Sequence, residues 1–134
     1  QLNLNIKLTL KDIPKLVEEI LEKLESAGIY EDIPMDVRLA FEEALTNAVK
    51  HGNKLNPDKS VSIKVGTLPG RLQLEVSDEG EGFDHVKVPL PTDPENIWKT
   101  SGRGVFLIRH FMDEVEYFEG GRKLKMAKNL KNKG

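Results

Sequence analysis

Glu43-Ala44-Leu45-Thr46-Asn47-Ala48-Val49-Lys50-His51-Gly52-Asn53 reads as the second half of a helix with a carboxamide where packing alone would put none. Pro34 or Asp36 opens that helix, Val37, Ala40, Phe41, Ala44, Leu45 and Ala48 form its buried stripe, and Gly52-Asn53 stops it. At about 100° per residue, Asn47 falls just inside one edge of the stripe, Glu43 just beyond it, and His51 nearly within it. A buried amide without a partner costs roughly 1–3 kcal/mol. Asn47 therefore either bonds a neighbouring backbone group or lines a pocket. Spaced four residues apart, Glu43 and Asn47 share a face, one turn from each other. A carboxylate can act as a general base, and an amide oxygen is a hard ligand for Mg²⁺. On this helix alone, a solvated Glu43 and a backbone-bonded Asn47 stand equally open.

Two glycine-bearing segments lie downstream. Asp78-Glu79-Gly80-Glu81-Gly82-Phe83 directly follows an expected strand, Leu72–Val76. A carboxylate at a strand end can accept a bond from an exocyclic amine such as that of adenine, and alternate glycines let the backbone approach a flat ring. Taken alone the segment also fits an ordinary acidic turn. It does not fit a calcium loop, because the remaining oxygen ligands are missing at the required spacing. Ser101-Gly102-Arg103-Gly104 precedes a third expected helix, about Gly104–Met112, which is apolar nearly all round and expected to be buried. Backbone N–H groups at a helix start form a phosphate site, and glycine lets them converge. The alternative there is a simple cap by Ser101. Together the three pieces suggest a site for a magnesium nucleotide.

The flanking sequence supplies the frame. Leu2, Leu4, Ile6, Leu8 and Leu10 alternate with polar residues and predict a half-buried strand. Asp12 is placed to cap a helix with Pro14 in its first turn, Leu16, Val17, Ile20, Leu21 and Leu24 on one face, and Ala27-Gly28 at its end. Asn56-Pro57-Asp58 turns the chain into strands at about Val61–Val65 and Leu72–Val76, joined as a hairpin at Leu68-Pro69-Gly70. From Gly80 to Thr100, Pro89, Pro91 and Pro94 break any helix, and the segment is too long for an ordinary connection. Short strands near Glu114–Phe118 and Lys123–Lys128, turned at Gly120-Gly121, complete the pattern. The class is α+β, with one mixed, mostly antiparallel sheet and helices over one face.

Composition narrows the functions. A length of 134 residues fits one domain with a real core. A formal net charge of −2 supplies no basic field for nucleic acid or an anionic membrane. The absence of cysteine excludes disulfides, thiolate metal sites and a cysteine nucleophile. No apolar run approaches about 18 residues, so no membrane span is expected, and Gln1-Leu2-Asn3-Leu4 reads as a strand rather than a signal peptide. A cytoplasmic protein is the expectation.

The order E-x-x-x-N on a helix, D-x-G-x-G after a strand, a proline-bearing segment and G-x-G before a helix resembles the GHKL (histidine-kinase-like) ATPase superfamily. That group includes gyrase, MutL, heat-shock chaperones and histidine kinases. The finer resemblance, from about Leu2 to Lys128, is to the anti-sigma factor serine/threonine-protein kinase family of bacteria. Glu43 to Gly52 resembles its N box and Asp78 to Phe83 its first glycine box. Its second glycine box is matched by Ser101-Gly102-Arg103-Gly104-Val105-Phe106-Leu107-Ile108-Arg109, running into Phe111-Met112-Asp113-Glu114-Val115. The resemblance implies a single domain over residues 1–134, a two-layer α/β sandwich with an ATP lid at about 84–100. By the same resemblance, Glu43 is the general base for a partner's serine hydroxyl, and Asn47 coordinates Mg²⁺ on the ATP phosphates. Asp78 recognises the adenine amino group, with Gly80 and Gly82 shaping its pocket, and Ser101, Gly102, Arg103, Gly104 and Val105 wrap the phosphates. The implied partners are a sigma factor and a STAS-domain anti-anti-sigma protein, with the chain a homodimer and with neither nucleic acid nor membrane involved. One departure stands out. Many superfamily members carry a threonine on the last strand that supports the adenine-binding aspartate, and Gly121-Arg122-Lys123-Leu124-Lys125-Met126-Ala127 has no hydroxyl.

Three functions fit these residues: an anti-sigma kinase, a switch kinase acting on a STAS scaffold without sigma binding, and a nucleotide-responsive binding module. Glu43 argues against the third, since a pure binder has no use for a base there. A detached catalytic fragment of a histidine kinase fits less well, because none of His51, His85 and His110 sits in a plausible dimerisation hairpin. His85 and His110 read as structural or surface residues, and Trp98 as a packing anchor in the lid.

Overall fold

Val61, Ile63 and Val65 alternate with Ser62, Lys64 and Gly66, a period of two that gives a strand one apolar face. The computed structural model describes residues 1–80 and 107–133. Along it run β1 (Leu2–Ile6), α1 (Ile13–Ala27), α2 (Met35–Asn47), β2 (Val61–Leu68), β3 (Arg71–Asp78), α3 (107–111), β4 (Glu114–Phe118) and β5 (Lys123–Asn129). The strands lie in the order β1-β2-β3-β5-β4, and every described pairing is antiparallel. The β2–β3 hairpin turns at Gly70, whose φ of 70° is the left-handed conformation that glycine adopts without penalty.

Alternation puts Val61, Ile63, Val65, Leu72, Leu74, Val76, Leu124 and Met126 on one face of the sheet, where they share a core with α1 and α2. All six residues expected in the α2 stripe are buried there. The opposite face carries Lys64, Gln73, Glu75 and Lys125. This is the expected α+β arrangement, with both long helices packed into one core on one side of the sheet. Among the described residues no helix is long and apolar enough to cross a membrane.

Five local expectations are corrected. The first strand ends at Ile6 rather than Leu10, because its partner β2 begins at Val61, the residue opposite Ile6. Leu8 still enters the core, while Leu10–Asp12 forms a 3₁₀ turn that feeds α1. Asp12 sits at the cap position of α1, but its side chain makes no cap bond; it accepts from the Thr9 hydroxyl at 2.5 Å. The second helix does not run unchanged to Gly52: Ala48–Gly52 is a π turn, closed by Asn53 N–H donating to Ala48 O at 2.8 Å. The helix before β4 is not buried all round, since Ile108 is buried while Arg109 and His110 are exposed. β2 and β3 are also longer than expected, and the extra residues bring Asp78 into the sheet opposite Val61.

Candidate functional site

The period of two that buries Val76 also aims Asp78 toward the helices, at the last position of β3. The Asp78 N–H donates to Arg122 O at 2.9 Å, which ties this strand end to the start of β5. Above it, α2 presents Ala44 and Asn47, with Ala48 just beyond. A small cavity opens between these residues, Val76 and Asp78 of β3, and Tyr117, Gly121, Arg122 and Leu124 of the β4–β5 hairpin. Asn47 and Asp78, predicted from separate motifs, thus meet in one cavity. A larger cleft on the opposite face of the sheet, with Lys64, Gln73, Glu75, Glu116 and Lys125 in its wall, holds none of the predicted site residues.

Asn47 is 6% exposed, and its amide nitrogen has no hydrogen-bond partner among the described residues. Packing therefore leaves this buried N–H donor unused. Glu43 lies one turn earlier on the same helix and is half-buried; it is not a wall of the cavity. His51 falls in the π turn, and its Nε2 has no hydrogen-bond partner among the described residues. Burial, and then the neighbouring Lys50 charge, lower the His51 pKa, so the imidazole is neutral at pH 7.

Close packing fixes the acceptor. A Cβ on Gly52 would overlap the Asp78 carboxylate, and one on Gly80 would overlap Gly52 O. Both positions need glycine because the π turn lies directly against the turn after β3. Asp78 Oδ1 accepts from Gly80 N–H at 2.8 Å. Burial pushes the Asp78 carboxyl up from its ordinary value, and the Gly80 N–H bond, Arg122 and Lys59 each offset part of that rise. The result is a carboxylate acceptor in the wall of a small cavity, suited to an amine or amide donor.

Sequence reasoning left Tyr117 unassigned, although its place between Glu116 and Phe118 on a strand signals an inward side chain. Tyr117 lines the cavity, the Arg109 guanidinium lies 5.7 Å from the ring centroid, and burial pushes its pKa up to about 12. β5 supplies no hydroxyl here. Asn53 was read only as a helix stop, yet it is buried and bonded to Glu79. Gly82, Ser101, Gly102, Arg103, Gly104 and Val105, with the lid at 84–100, lie outside the described residues.

The family model for the histidine kinase-like ATPase domain matches residues 6–128. The chain belongs to the histidine kinase-like ATPase family. Among curated relatives, the serine-protein kinase RsbW of Staphylococcus aureus strains JH9, Newman and JH1 is 37% identical over 114 residues, covering 79% of this chain and 71% of each relative. The region matched by the ATPase family includes all three motifs, and the relatives' enzyme class, a serine-protein kinase, is the class expected from them. The cavity between α2 and β3, where Asn47 and Asp78 meet, lies within the matched region.

Proposed function

We propose that this chain is an ATP-dependent serine kinase and anti-sigma factor, which binds a sigma factor and phosphorylates a serine of a STAS-domain anti-anti-sigma partner. One observation carries the reading: Asn47 and Asp78 converge on one cavity, walled further by the apolar Ala44, Ala48, Val76 and Leu124 and by Tyr117, Gly121 and Arg122. The reading includes a single ATPase domain with a lid at about 84–100, a homodimer and a cytoplasmic location.

The residues present fit Mg-ATP. Asn47 sets a buried carboxamide into the cavity wall, and Gly52 and Gly80 let the π turn pack against the Asp78 carboxylate more closely than any side chain would allow. Among the described residues no three histidine or carboxylate groups converge to hold a metal, so Mg²⁺ at Asn47 would draw its other ligands from phosphate and water. When bound, Mg-ATP supplies the phosphoryl group and neutralises its charge. The chain's own residues then orient and deprotonate. Asp78 accepts from the exocyclic amine of the base, and the apolar walls exclude water from its ring. Asn47 holds the metal side of the site. Glu43, one turn away on the same face, takes the proton of the incoming serine hydroxyl. Gly80 and Gly82 shape the base pocket, and Ser101, Gly102, Arg103, Gly104 and Val105 wrap the phosphates. Catalysis on this plan is mostly positioning.

Labelled ATP, Mg²⁺ and candidate STAS proteins test the reading. Phosphoserine on one of them, with capture of a sigma factor, is the expected result. Glu43→Ala should keep ATP binding and lose transfer; transfer that persists overturns the base assignment. Transfer without sigma capture leaves a switch kinase, and binding without transfer leaves a nucleotide-responsive module.

A further inference from the structure

Asn53 follows the π turn and is 3% exposed. Its side chain joins two segments that are distant in sequence. Oδ1 accepts from Glu79 N–H at 2.8 Å, and Nδ2 donates to Ser60 O at 3.0 Å. Glu79 closes the ring from outside, its Oε1 accepting from Ser60 N–H at 3.0 Å. Only a carboxamide offers an acceptor and a donor on one short planar group without a charge. Leucine here would leave the Glu79 N–H without its bond, and aspartate would set a charge against the Ser60 carbonyl.

The bond to Glu79 acts next to Asp78. Three consecutive N–H groups have assigned acceptors: Asp78 N–H on Arg122 O, Glu79 N–H on Asn53 Oδ1, and Gly80 N–H on Asp78 Oδ1. The first and third involve strand and turn. The second alone ties the turn to the end of α2, the element that carries Asn47. Gly52, the residue before Asn53, lies directly against the Asp78 carboxylate.

We propose that Asn53 is a positioning residue for base recognition, holding the Asp78–Gly80 turn against the end of α2 so that the Asp78 carboxylate meets an amino-purine. This rests on the reading of Asp78 given above. A residue that only supported the fold would weaken every nucleotide alike. One acting through Asp78 weakens those whose amine Asp78 receives.

The test is calorimetric titration of the full chain, with Mg²⁺, by ATP and by inosine triphosphate, which lacks the exocyclic amine. Wild type, Asn53→Ala, Asp78→Asn and the double variant are compared, each with its melting temperature. Asn53→Ala should weaken ATP roughly tenfold, the scale of one lost hydrogen bond to a charged group, and inosine triphosphate by less than about twofold. In the Asp78→Asn background Asn53→Ala should weaken ATP no further, since neighbours acting through one contact are not additive. Equal weakening of both nucleotides, or additive losses, overturns the proposal. Should Asn53→Ala fail to fold, Asn53→Ser keeps a polar group too short to bond both Glu79 N–H and Ser60 O; it should lower ATP preference roughly two- to fourfold, and unchanged preference overturns the proposal. A wild type that does not prefer ATP defeats the reading of Asp78 itself. A preference kept in both variants defeats only the role of Asn53.

Discussion

Burial beneath α2 raises the Asp78 carboxyl, and the Gly80 N–H with two nearby cations offsets only part of that rise. A carboxyl raised on folding costs stability at neutral pH, and the cost fades as pH falls through its folded pKa. Asp78→Asn keeps an oxygen for the Gly80 N–H. It should therefore melt higher than wild type at neutral pH, with the difference shrinking on acidification, while ATP affinity falls. Thermal melts across the acidic range check this; a lower melting temperature at neutral pH contradicts it. His51 has the opposite sign. Its folded pKa is below the ordinary 6.5, so stability is lost as pH falls through 6.5 toward the folded pKa. His51→Gln should remove that loss, which melts on both sides of the window measure directly.

The seam between the π turn and the end of β3 explains what was legible in the sequence at the scale of elements. The stripe from Val37 to Ala48 could be read because a helix bound for a core repeats its apolar residues at a fixed period, and Glu43 and Asn47 could be placed against it. The π turn was not legible. It depends on Gly52 meeting Asp78, two residues that only the folded sheet brings together. The end of β1 has the same kind of cause, since alternation persists through Leu8 while the partner strand has already run out at Val61. Parity marked Tyr117 as inward, but the cavity it faces is closed by residues from α2 and β5. Gly52→Ala should open this seam. It should cost about 1–3 kcal/mol, as overpacking does, and abolish detectable ATP binding. Denaturant melts and titration measure the two losses, and a variant with wild-type affinity contradicts the close contact.

At the scale of the molecule, one apolar core does the work of holding α2 over the sheet. Phe41 is fully buried in it. Phe41→Ala should cost about 3–5 kcal/mol, a large part of the roughly 5–15 kcal/mol that holds a domain together. Denaturant unfolding will show whether the loss reaches that size. Family membership places an ATPase on this frame, and the cavity between Asn47 and Asp78 is its proposed nucleotide site. Calorimetric titration with ATP, in Mg²⁺ and then in EDTA, on wild type and Asn47→Ala tests that site most directly. The account predicts roughly micromolar binding that requires Mg²⁺ and disappears in Asn47→Ala. Binding that is indifferent to both, or no binding by the wild type, would contradict it.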